Sequence, residues 1–404
     1  MPGELLWLAH QAPVPATDGG RQRSVALIRC VARHWRVTVA VLHDPLSPAY
    51  ADSGSGMDAV EWLDLSGGRA AQLAAARLLI RESRPPVLRH FSQPGQRRAV
   101  RDQLCSGRFR AVVADTPYAT GPLPPRSPGL PGQTPLIVNT HNVEREVWQA
   151  AGPEVAGGRV RLALDRRLLP AWELRVLNAA DAVAFCAERD ERILAPGLRP
   201  GLQRSVVPNG VDTERLRALP RPDGADNVLF VGRLTYAPNA EAARFIETRL
   251  AALLSPKGVT VVIAGGERVP GGAGTPRAGV HYAGRPADLT PLYGRAFAVV
   301  APVFSGSGTR LKVLEALAYG RPLVATAKAV EGLGMSPDVH YLAAEDAAAF
   351  AAQLDRLATD GVLWSELAER GRALVEERYS WAVAGEAFLA LLARCGVEPT
   401  DRVP

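Results

Sequence analysis

Short apolar runs alternate with amphipathic segments along this chain, and this alternation restricts its fold more than any other feature. In the first half the predicted strands are Leu5–Ala9, Val37–Leu42, Ala111–Ala114, Leu136–Asn139 and Ala182–Cys186. The predicted helices are Arg23–Arg33, Arg69–Ser83, Arg97–Cys105 and Arg159–Ala179, and the predicted loops are Gln11–Gly20 and Gly121–Gln133. Short apolar strands that alternate with helices indicate a parallel sheet that is covered on both faces.

A second set of the same kind follows the segment Val206–Asp212. Its predicted strands are Val228–Gly232, Val259–Ala264, Val280–Ala283, Phe297–Val303 and Pro322–Ala325. Its predicted helices are Ala240–Leu254, Leu289–Ala296, Leu311–Tyr319, Asp346–Thr359, Leu363–Tyr379 and Trp381–Cys395. We therefore predict an α/β protein with two doubly wound domains, residues 1–208 and 209–380. The last helix, about residues 381–395, is expected to pack back on the first domain, and residues 396–404 form a tail. Ligands of such sheets bind at the carboxyl ends of the strands, so two facing rims with a cleft are expected.

The composition excludes several classes of protein. With 404 residues, of which 47% are hydrophobic, the chain has too much apolar side chain for a disordered protein. Its longest apolar stretches, Val259–Gly265 and Ala296–Val303, are much shorter than the roughly 18–20 residues that a membrane span needs. The four cysteines stand far apart, which gives no basis for a zinc site or a disulfide framework. We expect a cytoplasmic enzyme with reduced thiols and no bound metal.

Charged residues are distributed unevenly. The net charge of +6 comes entirely from the first half, and arginine supplies nearly all of the positive charge. The chain has only three lysines, Lys257, Lys312 and Lys328, so a lysine inside a motif is informative.

The most informative motif runs from Pro302 to Leu317, where a predicted strand leads through a glycine-rich turn into a helix. Glycines at 306 and 308 allow a ligand to approach the backbone closely, and the unpaired amides at a helix start suit a phosphate. Arg310 and Lys312 add positive charge to that turn, and Glu315 could accept two vicinal ribose hydroxyls. The spacing differs from that of a dinucleotide-binding fold and of a P-loop ATPase.

This segment resembles the nucleotide-sugar signature of retaining glycosyltransferases of family 4, also called group 1, which have the GT-B fold. It is most similar to the subset that reads Gly-Gly-Gly-Thr-Arg-Leu-Lys-x-x-Glu. Supporting segments occur in the expected order along most of the chain, namely Pro13–Arg21, Asn139–Glu144, Val207–Asp212, Phe230–Leu234 and Gly320–Thr326.

The resemblance implies a role for each matching residue. Gly19 and Gly20 would form a loop of the first domain that meets the donor diphosphate, and His141 would face the donor sugar at its anomeric centre. Arg233 and Lys312 would bind the pyrophosphate. The remaining assignments are Gly308, Thr309 and Arg310 for the diphosphate, Glu315 for the ribose, Ser305, Gly306 and Ser307 for the donor sugar, and Gly284 with Arg285 for the base.

Two positions depart from the family pattern. Many members have a first glutamate eight residues before the position of Glu315, where this chain has Ser307. The lysine that often follows the strand-end arginine by five residues is also missing, because Pro238 stands at that place after Arg233. Lys312 is then expected to be the only lysine on the diphosphate.

The remaining polar residues are less specific. Asp115 follows a buried strand, and two interpretations stay open: a site residue at the strand end, or a helix cap. His10, His34, His43, His90, His281 and His340 share no spacing typical of metal ligands, and each is interpreted as a surface or packed residue.

The resemblance implies a metal-independent, retaining hexosyltransferase that moves a sugar from a nucleoside diphosphate donor, its co-substrate, to a hydroxyl acceptor in polysaccharide or glycoconjugate synthesis. It needs no cofactor and no nucleic acid. The acceptor could be lipid-linked or a small molecule, and a lipid-linked acceptor would bring the basic first half to the inner membrane face. The side chains that could form this contact are Arg77, Arg81, Arg84, Arg89, Arg97, Arg98 and Arg101, with Leu78, Leu79 and Ile80. The alternative is that they form an ordinary solvated surface. A non-catalytic nucleotide-binding scaffold, glycosylation of a small secondary metabolite and a sugar-nucleotide epimerase are the alternatives.

Overall fold

The computed structural model describes residues 3–16, 18–43, 60–68, 71–76, 84–124, 134–153, 157–267, 277–306 and 311–399. The chain divides into two compact units. Unit 1 comprises Met1–Asn209 and Ala384–Pro404, and unit 2 comprises Gly210–Val383.

Unit 1 is built on a seven-stranded parallel sheet with the strand order β3-β2-β1-β4-β5-β6-β7. The strands are β1 (Glu4–Ala9), β2 (Arg36–Val41), β3 (Val60–Asp64), β4 (Phe109–Asp115), β5 (Leu136–Asn139), β6 (Ala182–Phe185) and β7 (Gln203–Val206). The central strands are buried almost throughout because helices cover both faces of the sheet. The order reverses between β1 and β4, and ligands of such sheets bind at this kind of position.

The helices of unit 1 are α1 (Gly19–Ala32), α2 (residues 71–76), α3 (Pro94–Cys105), α4 (Glu144–Ala150), α5 (Arg159–Ala179) and α6 (Glu188–Leu194). The start of α1 corrects the prediction of a loop up to Gly20. The side chain of Asp18 accepts a hydrogen bond from the backbone N–H of Arg21 and caps the helix, so Gly19 and Gly20 lie in its first turn.

Unit 2 has a six-stranded parallel sheet with the strand order β10-β9-β8-β11-β12-β13. The strands are β8 (Asn227–Val231), β9 (Thr260–Ala264), β10 (Val280–Tyr282), β11 (Ala298–Ala301), β12 (Leu323–Ala325) and β13 (Leu342–Ala343). The helices are α7 (Ala237–Phe245), α8 (Ala251–Leu254), α9 (Thr290–Arg295), α10 (Leu311–Ala318), α11 (Ala347–Thr359), α12 (Gly361–Arg378) and α13 (Trp381–Arg394). A π-helical turn, Ile246–Leu250, joins α7 to α8.

Most of α13 belongs to unit 1 and packs there on β1 and α1. The rings of Phe388 and Trp7 lie 5.9 Å apart between centroids, and both side chains are buried. A Cβ at Gly385 would come within 2.6 Å of Cys30 Sγ, so the helix approaches α1 closely only because this residue is glycine.

Some predicted segments lie partly outside the described residues, namely loop Gln11–Gly20, helix Arg69–Ser83, loop Gly121–Gln133 and the tail at residues 396–404. Within the described parts of the chain, no helix is both long and apolar enough to cross a membrane.

Candidate active site

In unit 1, four polar side chains meet where neighbouring strands end, namely those of His10, Asp115, Asn139 and His141. Ala9 of β1 pairs with Asp115 of β4, and Asp115 pairs with Asn139 of β5, so these strands end side by side. His10 follows β1 directly, and His141 follows β5 after one intervening residue. Because parallel strands share one carboxyl edge, the sheet places all four side chains at the position where such folds bind ligands.

The carboxylate of Asp115 is the centre of this group. It accepts hydrogen bonds from Ser24 Oγ at 2.5 Å, from Asn139 Nδ2 at 2.7 Å and from His141 Nε2 at 2.8 Å. Burial of Asp115, which is 1% exposed, would raise its pKa, but His141 and these hydrogen bonds outweigh that effect and hold the pKa below its usual range. The group is therefore an ionised carboxylate that holds a histidine. The alternative of a helix cap is wrong, because these partners are side chains.

This contact fixes the orientation of His141. An ionised carboxylate only accepts hydrogen bonds, so Nε2, the ring nitrogen of His141 that faces Asp115, carries a proton. The other ring nitrogen is Nδ1. Nδ1 lies beside the first turn of α1, where a Cβ at Gly20 would come within 3.1 Å of it. The structure thus brings Gly20 and His141 together, with Gly19 in the same helical turn.

A buried arginine holds Asn139, the residue whose Nδ2 donates to Asp115. Arg23 is fully buried and donates to Asn139 Oδ1 from Nε at 3.1 Å and from Nη2 at 2.7 Å. Its Nη1 donates to the Val207 carbonyl at 2.6 Å and to Asn209 Oδ1 at 3.2 Å. Since Oδ1 of Asn139 faces the guanidinium, its Nδ2 must face Asp115, which determines the orientation of the amide.

His10 is a member of this group that the sequence interpretation did not single out. Its Nδ1 lies 3.1 Å from the backbone oxygen of Asp115, and its ring centroid lies 5.8 Å from that of His141. Burial and the nearby His141 lower the pKa of His10 to about 4, so this imidazole is neutral at neutral pH. Its position directly after β1, beside the end of β4, was the signal that could have identified it.

The backbone after Asp115 is strained. Thr116 has a φ of 89°, a region that a β-branched residue rarely adopts. Such strain persists only where surrounding contacts enforce it, and it concentrates at functional sites. It supports a functional role for this edge of the sheet.

A buried acidic pair supports the segment that follows His141. Tyr118 Oη donates to Glu144 Oε2 at 2.5 Å, and the backbone N–H of Glu144 donates to Glu173 Oε1 at 2.8 Å. Burial raises the pKa of Glu144 to about 8, which the neighbouring Glu173 reinforces. Burial also raises the pKa of Glu173 to about 7.

In unit 2, the predicted diphosphate residues lie near the carboxyl end of β8. The backbone of Gly232 and Arg233 follows this strand, and Lys312 is the second residue of α10. Lys312 Nζ donates a hydrogen bond to Asn239 Oδ1 and lies 4.8 Å from the ring centroid of Phe230. The side chain of Arg233 is exposed to solvent. The structure therefore places the Lys312 ammonium and the backbone of Arg233 at the same end of β8.

Glu315 lies three residues beyond Lys312, on the same helix. Burial raises its pKa to about 7, and the charge of Lys312 opposes that effect. This carboxylate therefore titrates close to neutral pH. It can change its hydrogen-bonding capacity within the range in which enzymes are assayed.

The start of the glycine-rich turn packs on the first turn of α7. Ser305 Oγ donates to Glu241 Oε2 at 2.7 Å. Gly306 has a φ of 92°, and a Cβ there would lie 2.8 Å from Pro238 Cγ and 2.9 Å from Tyr236 Oη, so only glycine fits. The predicted site residues Ser307, Gly308, Thr309 and Arg310 lie outside the described residues.

The predicted base-binding pair lies two strands away from β8. Gly284 follows β10, has a φ of 67° and accepts hydrogen bonds from the backbone N–H groups of Gly265 and Gly266 at 2.7 and 3.0 Å. Arg285 beside it is exposed. Among the residues that the structure describes, no group of three or more His, Cys, Asp or Glu side chains could hold a metal ion.

Comparison with known proteins agrees with this architecture. Residues 225–360 match the family model for glycosyl transferases group 1. No curated protein matches the chain.

Solved structures resemble it along nearly its whole length. Sucrose-phosphate synthase from Thermosynechococcus elongatus is 19% identical with a TM-score of 0.66, over 97% of this chain and 98% of that one. Anabaena HepE, solved in complex with UDP and glucose, is 14% identical with a TM-score of 0.62, over 97% and 100%. Trehalose 6-phosphate synthase from Burkholderia multivorans is 14% identical with a TM-score of 0.62, over 98% and 99%.

At these identities the likeness shows the fold, and the two parallel sheets confirm the predicted GT-B architecture of Rossmann-like domains. Together with the match over residues 225–360, this fold supports a group 1 glycosyltransferase.

Proposed function

We propose that this chain is a retaining glycosyltransferase that moves a hexose-like sugar from a nucleoside diphosphate sugar to a hydroxyl acceptor. The observation that carries the proposal is the arrangement at the end of β8, where Asn239 joins the Lys312 ammonium to the backbone of Arg233 and Glu315 follows on the same helix as Lys312. A cation pair suits a diphosphate, and a carboxylate near it suits the ribose hydroxyls.

In this proposal the cations act on the leaving group. The bond between the anomeric carbon and the diphosphate oxygen breaks, and the acceptor oxygen forms a new bond to that carbon on the same face. The acceptor proton passes to the departing phosphate. Lys312 and Arg233 stabilise the negative charge that grows on the diphosphate, which lowers the barrier without a protein nucleophile.

Glu315 would bind the ribose in its ionised form. A carboxylate accepts hydrogen bonds from two hydroxyls, whereas the protonated acid has one acceptor oxygen fewer. Because burial raises its pKa to about 7, binding of the donor favours loss of that proton.

His141 would contact the donor sugar, a role that requires an imidazole ring with a fixed orientation and a defined tautomer. The ionised Asp115 holds one ring nitrogen, so the ring has a fixed orientation and a defined tautomer. Asn139 and Ser24 hold the carboxylate in turn. We propose Asp115 as the positioning residue of His141.

The acceptor is proposed to bind to unit 1, with a lipid-linked acceptor bringing its arginines to an anionic membrane. Of the arginines predicted for this surface, Arg98 and Arg101 on α3 are exposed, Arg84, Arg89 and Arg97 are half-buried, and Arg77 and Arg81 lie outside the described residues. Sedimentation with anionic liposomes at low salt tests this contact, which high salt must abolish. Lack of binding at low salt would refute it.

A thermal-shift panel with UDP, GDP, ADP and TDP tests the donor site. We expect one diphosphate to raise the Tm of the unaltered chain, by an amount that grows with concentration as binding to the folded state requires. Lys312→Ala should strongly reduce the shift while the Tm without ligand changes little.

Lys328→Ala is the matched control, because Lys328 is a half-buried lysine of the same unit, paired with Glu331. This variant should respond to the nucleotide like the unaltered chain. A panel without any shift, or a shift of unchanged size in Lys312→Ala, would contradict the proposed donor site.

A further inference from the structure

We propose that Asn239 is a positioning residue that holds the ammonium of Lys312 for the donor diphosphate without neutralising its charge. This inference rests on the proposed function, since it concerns how that site keeps its positive charge available. It assigns a role to a side chain on α7 that has no charge of its own.

Asn239 connects the two cationic residues of the site. Its Oδ1 accepts a hydrogen bond from Lys312 Nζ, and its Nδ2 donates to the backbone carbonyl of Arg233 at 2.9 Å. The side chain is buried in the first turn of α7, with 7% exposure. One amide therefore fixes both the position of the ammonium and the path of the backbone at Arg233.

The chemistry of the partners matters because a phosphate needs an ammonium that retains its charge. Asn239 Oδ1 is a neutral amide oxygen, and Phe230 turns the face of its ring toward Lys312 Nζ, so both groups attract the cation without carrying a negative charge. Lys312 is thus held in a way that suits binding of an anionic ligand.

Gly232 leaves the space that this arrangement requires. A Cβ at this position would lie 2.9 Å from Lys312 Nζ and 2.8 Å from Asn239 Cγ. The glycine after β8 therefore lets the lysine and the asparagine meet. This observation is independent of the hydrogen bonds.

Nucleotide affinity of Asn239→Ala tests the role, measured by calorimetry with whichever of UDP, GDP, ADP or TDP binds the unaltered chain most tightly, and with its phosphate-free nucleoside. Loss of the amide leaves Lys312 Nζ without this acceptor, so diphosphate affinity should fall about tenfold, the effect of one charge-assisted hydrogen bond. Nucleoside affinity should stay within about twofold, because the role acts on the phosphates.

Two further variants sharpen the test. Asn239→Asp keeps an acceptor for the ammonium but pairs it with a negative charge, so diphosphate affinity should fall at least as far as in Asn239→Ala. Asn227→Ala is the matched control at the opposite end of β8, where the side chain bonds to exposed Asp226, and it should bind like the unaltered chain.

A double-variant cycle separates positioning from a general structural effect. If Asn239 acts through Lys312, Asn239→Ala should cost little further affinity in a Lys312→Ala background. An undiminished cost there, equal losses for nucleoside and diphosphate, or unchanged diphosphate affinity in Asn239→Ala would overturn this role. Absence of nucleotide binding by the unaltered chain would instead refute the proposed function itself, and this role with it.

Discussion

Replacing Asp115 by asparagine removes the negative charge at the centre of the unit 1 site while preserving its shape. Three donors converge on the carboxylate, from Ser24, Asn139 and His141. An asparagine side chain offers only one acceptor oxygen, and its NH₂ group is itself a donor. At least one of the three donors must therefore lose its partner or move away.

The cost can be worked from the contacts. Hydrogen bonds to a charged group contribute about 1.5–3 kcal/mol each, and the cost is largest where the group left without a partner is buried. Asp115 is 1% exposed, so water cannot compensate. We expect Asp115→Asn to lower the free energy of unfolding by about 3 kcal/mol at pH 7, and turnover by roughly a hundredfold because His141 loses its fixed orientation.

The loss must depend on pH in a defined direction. Hydrogen bonding and His141 hold the pKa of Asp115 below its value of about 3.9 in an unfolded chain. The carboxylate therefore contributes its full stabilisation above about pH 4, and this contribution declines as the pH falls further, toward the pKa of the folded state. The difference in stability between the unaltered chain and Asp115→Asn should shrink in that range.

Urea unfolding followed by circular dichroism at pH 7, 5 and 3.5 measures the stability, and release of nucleotide from the donor measures turnover. Asp102→Asn, an exposed aspartate of α3, is the matched control and should stay within about 0.5 kcal/mol. If Asp115→Asn matched that control in stability, or kept full turnover, Asp115 would not hold His141 in the way proposed.

Three further predictions concern other residues. Burial raises the pKa of Glu144 to about 8, so between pH 5 and 8 the unaltered chain should lose about 1.4 kcal/mol of stability per pH unit relative to Glu144→Gln; parallel urea-unfolding curves for the two proteins would contradict this. Gly20→Ala should cut turnover about tenfold with a stability change below about 1 kcal/mol, because its Cβ presses on His141 Nδ1 in a helix that favours alanine; Gly95→Ala, open at the same turn of α3, should leave turnover unchanged. Affinity for the donor sugar, measured by calorimetry, should rise with pH through about 7, and Glu315→Gln should bind more weakly without that pH dependence; an unaltered pH profile would remove the ribose role.

The apolar runs predicted the central strands because those strands are buried on both faces. The strands that were missed, β3, β7 and β13, lie at sheet edges, where one side is exposed and the apolar run is interrupted. Short helices with charged faces, such as α4 and α6, were also missed, since their length leaves little periodicity to detect.

Some residues of the candidate site could likewise be predicted from the sequence, and others could not. Lys312, Glu315 and His141 were accessible from local motifs, because each stands in a run of matching neighbours. Asp115 was accessible only as one of two alternatives, and the hydrogen bonds of Arg23 join residues 116 and 184 positions apart. Contacts of that kind depend on strand order and register, which no local pattern in the sequence specifies.

Glycosyl transfer by this chain is tested most directly by the release of nucleoside diphosphate from the matching nucleoside diphosphate sugar. With the unaltered chain, the nucleoside diphosphate should be released slowly when water takes the sugar and faster when an acceptor hydroxyl takes it. Lys312→Ala should reduce the rate at least about a hundredfold, since its charge is aimed at the leaving group, while Lys328→Ala should react normally. No release from any of the four donor classes, or equal rates with and without Lys312, would contradict the account.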